Sequence, residues 1–352
     1  MLTRRQLLCS LPLLAAAPRV AAAGDRSGMC LAYTSFAVRM LQGRDIMKTT
    51  AAAVSANLLL DLCARFGSGG AQIDWSQLPS HGAGDLRPLR ERIDREGLVV
   101  ELSAPSSCLA SADAYEELAR VAAALGVSRA RVALLYGRRY ESFKTRGEWT
   151  AWAADWRKKL AGIKSTAERH PLLIGIENHK DFHAAELAEL LHAVDSPRIG
   201  TCVDFGNNLA LLEEPLETVR LLAPFVVTTH LKDMAVKRTD TGFELSEVPL
   251  GDGLLPLPAM IAALRTVRPD VHLCLEMLTR DPLSVPYRED HYWTTLDRPP
   301  AERLAAFEQH VLGRAAAGEL PRITGLTPEQ QIALEDEHVR RSMAYARGRL
   351  GL

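Results

Sequence analysis

Short apolar runs recur along the chain, and each is followed by a longer stretch whose apolar residues return every three or four positions. The runs are Cys30–Ala37, Ala71–Trp75, Leu98–Ala104, Arg131–Tyr136, Leu172–Asn178, Ile199–Asp204, Val226–Leu231 and Val271–Met277. They are four to eight residues long and mostly unbroken by charge, as parallel strands covered on both faces require. Between them the period predicts helices. Asp113–Leu125 stops at Gly126, a left-handed cap; Glu148–His170, Ala184–Val194, Glu214–Leu222 and Pro258–Val267 follow, with Pro171, Pro197, Pro224 and Pro269 at the exits. With a last helix over Ala301–Ala317, eight strand–helix units predict an α/β protein whose strands close into a (β/α)8 TIM barrel over residues 24–318. An open doubly wound sheet would carry a glycine-rich phosphate turn after its first strand, and no GxGxxG follows here.

Two segments fall outside this rhythm. Thr279 to Pro300 is rich in Pro, Asp, Tyr and Trp and reads as a long loop after the eighth strand. Such loops build barrel active sites, so Tyr287, His291, Tyr292 and Trp293 either close over the mouth or pack to anchor the loop. The tail, residues 319–352, carries one charged helix over Pro328–Arg349 as a C-terminal helical extension. It could pack on the barrel side or on a second subunit, which leaves a homo-oligomer open.

The first 23 residues differ from the rest. Arg4 and Arg5 precede an apolar stretch, Leu7 to Ala17, and Ala21–Ala23 follow as a small-residue run. That layout predicts a cleavable twin-arginine signal peptide and a periplasmic or otherwise exported protein; the alternative is an N-terminal extension of a cytoplasmic one. The stretch is too short to anchor the chain stably in a membrane. Cys30, Cys63, Cys108, Cys202 and Cys274 are odd in number and form no CxxC pair, so neither a disulfide framework nor a thiolate zinc site is indicated. The net charge of -1, with no basic run, argues against nucleic acid as a partner.

Four consecutive strand ends are polar where core strands stay apolar. They read Ile176-Glu177-Asn178-His179, Asp204-Phe205-Gly206-Asn207, His230-Leu231-Lys232-Asp233 and Leu275-Glu276. Each residue alone would pass for a cap or a core polar group, but in a barrel these ends converge on one mouth. Glu177, Asp204, His230 and Glu276 would then face one another. Three carboxylates and an imidazole suit one divalent metal ion, Mn²⁺, Mg²⁺ or Co²⁺, with Zn²⁺ also within range. A metal held by a carbonyl oxygen and an adjacent hydroxyl stabilises an enediolate, while a nearby carboxylate moves a proton on carbon.

The motif series, in this order and spacing over about residues 30 to 315, resembles the xylose isomerase-like barrel superfamily. That group includes ketose 3-epimerases, hydroxypyruvate isomerase, sugar-acid decarboxylases and endonuclease IV. The resemblance implies that Glu177, Asp204, His230 and Glu276 ligate the metal and that Glu177 and Glu276 are the catalytic carboxylates on opposite substrate faces. Many epimerases have a His three residues after the metal-binding Asp, where this chain has Asn207. The extra zinc histidines of endonuclease IV are missing, with Asp74, Ser103 and Asn207 in those regions.

Lys180, Lys232 and Arg280 lie close to the expected metal, and strand alternation turns Lys232 toward His230 and Arg280 toward Glu276. Either Lys232 pairs with a neighbouring carboxylate and Arg280 is a solvated loop residue, or one or two of the three cations bind a carboxylate on the substrate. His179 is a candidate proton donor or hydroxyl contact, and Asn207 a substrate contact. The expectation is a metal-dependent enzyme acting on a small keto sugar or sugar acid. An isomerase or epimerase leads; a decarboxylase of a 3-keto sugar acid such as 3-oxo-isoapionate is the alternative, and a non-catalytic exported sugar-binding protein the third.

Overall fold

A computed structural model describes residues 27–41 and 54–352; the twin-arginine segment lies outside the described residues. The first seven apolar runs become β1 (Ser27–Ala32), β2 (Ser68–Asp74), β3 (Val99–Ser103), β4 (Arg129–Val132), β5 (Leu173–Glu177), β6 (Ile199–Asp204) and β7 (Val226–His230). Each pairs in parallel with the next. After β7 come β8 (Asp233–Arg238), β9 (Phe243–Val248), β10 (Cys274–Leu275) and β11 (Leu283–Val285). The short β10 is the eighth barrel strand. It pairs in parallel with β1 through Cys30 and Leu31, and a bridge from Leu275 to Leu231 joins it to the end of β7. The ring is thereby closed into a TIM barrel.

Around it run α1 (Ala37–Leu41), α2 (Ala56–Phe66), α3 (Ala83–Glu96), α4 (Ala112–Leu125), α5 (Arg139–Ser142), α6 (Arg146–Glu168), α7 (Ala184–Val194), α8 (Pro215–Leu222), α9 (Leu257–Val267) and α10 (Ala301–His310). The construction of α4 is representative. Ser111 caps it by accepting from the Ala114 amide, Gly126 ends it at φ 66°, and Tyr115, Leu118, Val121, Ala122 and Leu125 form the face buried against the barrel. Truncating such a residue, as in Leu118→Ala, costs about 2–5 kcal/mol.

The structure moves several expected boundaries. The run Cys30–Ala37 leaves the strand at Tyr33, because Ser35 must reach over the mouth, where its hydroxyl donates to the Leu275 carbonyl at 3.0 Å. The helix expected over Ala301–Ala317 stops at His310; farther on, the Ala316 amide is captured by the Val236 carbonyl of β8 at 2.8 Å. The Thr279–Pro300 segment contributes β11 and a 3-10 turn, Asp290–Thr294. Tyr287 and Tyr292 are buried; Tyr292 donates to the Ala210 carbonyl at 2.9 Å and Trp293 to the Tyr287 carbonyl at 2.7 Å. These rings anchor the segment, while His291 is exposed.

Strands β8 and β9 form an antiparallel hairpin that β11 extends to three strands, a small sheet beside the mouth. The tail helix, α11 (Pro328–Tyr345), packs on this chain's own barrel. Glu335 accepts from the Val38 amide and pairs with Arg39, Ser342 accepts from the Leu250 amide, and His338 meets Thr279. All five described cysteines are buried, and none is in a disulfide. No helix among the described residues is long and apolar enough to cross a membrane.

Candidate metal centre

Barrel register brings the polar strand ends to one level, with Asp204 beside His230 and Glu177 beside Cys202. Glu276 follows β10 directly, and its amide donates to the Leu231 carbonyl at 2.9 Å. Glu177, Asp204, His230 and Glu276 each offer one ligand atom, all within 4.8 Å of one another, and all four are buried. His230 turns Nδ1 toward Glu177 at 3.2 Å, Glu276 at 3.4 Å and Asp204 at 3.9 Å. Its Nε2 donates to the Gln72 carbonyl oxygen at 2.9 Å, the outer bond that fixes a metal-binding imidazole.

Asp204 is gripped from three sides. Its backbone exchanges hydrogen bonds with the Asn178 amide group, and Oδ1 accepts from the Gly206 and Asn207 amides at 2.9 and 2.7 Å. Its Oδ2 is buried with no aligned hydrogen-bond donor, although the Lys232 ammonium stands 2.8 Å away. A buried carboxylate oxygen left without a hydrogen bond, inside a cluster of three carboxylates and an imidazole, fits a cation well. The cluster can hold a metal ion.

Cations surround these acids. Arg131 binds Glu177 through Nε and a terminal nitrogen and donates to Ser103 at 3.2 Å. Lys232 spans Asp204 and Glu276, at 2.8 and 2.5 Å. Thr34 donates to the other oxygen of Glu276 at 2.9 Å. Arg280 is engaged by Glu247 of β9, at 3.1 and 2.5 Å, so it is neither a solvated loop residue nor a free one. Lys180 donates to Asn207 Oδ1, and Asn207 in turn donates to Glu177 Oε1 at 2.9 Å. Asp233, the last residue of its motif, accepts from the Gly251, Gly253 and Leu255 amides and organises the loop after β9. Gly253 is required there, since a Cβ would stand 2.1 Å from Asp233 Oδ1.

The protein's own charges tune the site. Burial would raise the Glu177 carboxyl, but Arg131 and His230 hold it well below the usual carboxylate range. Burial likewise opposes ionisation of Glu276, and His230 and Lys232 hold it well below that range too. Asp204 goes the other way, raised by burial despite Lys232. Burial disfavours a charged His230, yet Glu276 and Glu177 lift it to about 9. His179 is pushed down to about 3, chiefly by burial, and is neutral at ordinary pH. Its Nδ1 hydrogen is committed to the Leu135 carbonyl at 2.7 Å, which leaves Nε2 as an acceptor.

Several residues escaped the sequence reading. Arg131 lay inside an expected strand as an isolated charge, and Gln72 and Glu101 were the polar interruptions in two other apolar runs. Glu247 follows the alternating Phe243-Glu244-Leu245-Ser246, a short period-two signal of the unanticipated hairpin, and stands where that alternation calls for an apolar residue. A separate open groove of about 480 Å³, lined by Asp113, Glu116, Glu117, Arg120 and His170, includes none of the cluster residues.

The family model of the xylose isomerase-like TIM barrel matches residues 60–296. The chain belongs to that family. Within it, the chain is 36% identical over 105 residues to the 3-oxo-isoapionate decarboxylase of Pectobacterium atrosepticum, a match covering 29% of this chain and 37% of that protein. The chain thus spans little more than a third of that relative. A solved xylose isomerase-like TIM barrel protein from Mycobacterium smegmatis, in complex with magnesium, superposes with a TM-score of 0.56 at 15% identity, covering 81% of this chain and 99% of that one. A D-psicose 3-epimerase gives a TM-score of 0.55 at 15% identity, covering 82% and 91%. At that identity the two structures share the family's fold.

Proposed function

We propose that this chain is a divalent-metal-dependent enzyme that removes carbon dioxide from a small keto sugar acid. The observation that carries the reading is the engagement of both candidate bases. Glu177 carries Arg131 on Oε2 and His230 and Asn207 on Oε1, and Glu276 carries Lys232 on one oxygen and Thr34 on the other. Both carboxylates are thus committed to cationic and hydrogen-bonding partners, which weakens them as bases toward a carbon-bound proton. An epimerase or isomerase needs such a base. A decarboxylase needs an electron sink and a cation for the acid, and no base to attack carbon.

A divalent ion in the cluster would supply Lewis acidity toward a carbonyl oxygen and the adjacent hydroxyl. Glu177, Asp204, His230 and Glu276 would hold it, and their oxygen-rich set suits Mn²⁺, Mg²⁺ or Co²⁺. His179 then accepts a substrate hydroxyl through Nε2, and Arg131 and Lys232 keep the carboxylates ionised. The partial similarity to a 3-oxo-isoapionate decarboxylase supports this choice.

The deciding experiment runs the metal-loaded protein in deuterated water with keto sugar acids and neutral ketoses. Carbon dioxide should be released, with one deuterium on the carbon that bore the carboxylate. Deuterium exchange into a neutral ketose without loss of carbon would restore the isomerase reading, and tight metal binding with no turnover would favour a binding protein. Export by the twin-arginine route is part of the proposal. Lysines in place of Arg4 and Arg5 should leave the precursor uncleaved in the cytoplasm, and unchanged export would overturn it.

A further inference from the structure

Three of the four cations at the mouth are matched to carboxylates: Arg131 to Glu177, Lys232 to Asp204 and Glu276, Arg280 to Glu247. Lys180 is the exception. It is 5% exposed, its hydrogen bond goes to the Asn207 side-chain oxygen, and it forms no ion pair among the described residues. An ammonium carries three donors, so two remain for a guest. Burying an unpaired cation is costly unless something else compensates it.

The backbone is shaped to keep this lysine in place. Lys180 has φ 65°, a left-handed conformation that non-glycine residues seldom adopt. Its carbonyl accepts from the Arg139 amide at 3.0 Å, and Asp181 accepts from the His179 and Phe182 amides on either side at 3.1 and 2.8 Å. The bound turn sends the ammonium to Asn207, one amide group away from Glu177 and the metal cluster. Burial, together with Lys232 and Arg280, lowers the Lys180 ammonium to about 8, the direction expected for a cation that still lacks its anion.

Charge balance points the same way. Arg131, Lys180, Lys232 and Arg280 are offset by Glu177, Asp204, Glu276 and Glu247, so a divalent ion would leave the buried mouth positively charged. Asp181, raised to about 7 by burial, offsets only part of that charge. We propose that Lys180 is the seat for the substrate's anionic group, so that the site selects a carboxylate-bearing sugar over its neutral counterpart. The inference rests on the barrel mouth being the substrate site, and it holds whether the reaction is decarboxylation or isomerisation of an acid.

The test is calorimetric titration of the manganese-loaded protein with D-erythronate and with erythritol, two four-carbon polyols that differ in the carboxylate. The wild type should bind the acid more tightly by about tenfold or more. Lys180→Gln should abolish that preference with manganese content and circular dichroism unchanged, and Lys180→Arg should keep part of it. No preference in the wild type overturns the proposal, and so does no measurable binding of either compound at millimolar concentration. An undiminished preference in a folded Lys180→Gln protein overturns it as well. Carbon dioxide release is read separately: acid preference without it retains the seat and removes the decarboxylase, while release that is indifferent to Lys180 does the reverse.

Discussion

Glu101 and Asp204 are both fully buried acids inside one barrel, yet they are treated in opposite ways. Glu101, on β3, accepts from Thr228 at 2.9 and 2.7 Å, from Gln72 at 3.4 Å, and meets His272 at 3.0 Å. Asp204, at the end of β6, keeps one oxygen without a hydrogen bond and shares its surroundings with Glu177 and Glu276. Thr228 lies two residues before His230 on the same strand, so the two sites are successive layers of one interior. The lower layer satisfies its acid largely with uncharged donors and needs no guest. The upper layer gathers like charges and balances them with Arg131 and Lys232 besides its neutral donors, an arrangement that costs stability and makes sense where a cation binds. Gln72 joins the layers, giving its carbonyl to His230 and its amide hydrogen to Glu101.

That contrast can be broken by substitution, and the largest effect belongs to the upper layer. Glu276→Gln should lower turnover by roughly 100- to 10,000-fold or more and reduce bound metal, as should chelation, while Glu101→Gln retains its metal. Equal loss of metal in both variants would erase the distinction. Next in size, Arg131→Met strips the guanidinium from the buried Glu177 and leaves its Oε2 without that partner, at about 3–5 kcal/mol in a denaturation experiment. Glu177 is held below its unfolded value, so its contribution is present above the ordinary carboxylate range and is lost as pH falls through the folded value. The gap between wild type and Arg131→Met should therefore narrow in acid, and a gap independent of pH would contradict the pairing.

Gln72→Leu tests the link between layers. Metal affinity should fall by about 10- to 100-fold with little change in fold, because His230 loses the bond that orients it. The smallest effect lies away from both layers, at Glu335 of α11. Burial raises its carboxyl from 4.5 to about 7, although Arg39 opposes the shift. With the folded value above the unfolded one, the tail's docking is strongest below about 4.5 and weakens as pH rises toward 7. Hydrogen exchange over residues 328–345 should speed up across that interval, and Glu335→Gln should flatten the response.

The barrel was legible because its strands are read locally: a run such as Ile199–Asp204 is buried at every position, so the pattern carries the whole signal. The four residues of the cluster were legible for a related reason, since a charge at the end of an apolar run stands out and closure does the rest. What stayed hidden depended on partners distant in sequence. Arg280 could be placed near the mouth, but its engagement by Glu247 follows from a hairpin whose alternation was overlooked. Arg131 looked like an ordinary strand residue until β5 brought Glu177 beside it, 46 positions away. The sequence offers His179 as donor or contact, and only the Leu135 carbonyl shows which of its nitrogens is spoken for.

The hairpin itself has an evolutionary consequence. Inserting residues into β1–β7 would break hydrogen-bond ladders on both sides of a strand, so the wall is hard to revise. β8 pairs with β9, and β9 with β11, outside the ring. Descendants of this barrel could therefore lengthen, shorten or recharge that flap while inheriting the buried acid and histidine cluster intact. Exchanging Glu247 alone would free Arg280 and change the charge presented at the mouth. Diversification of substrates in this lineage would then be written in the small sheet, and the chemistry conserved in the large one.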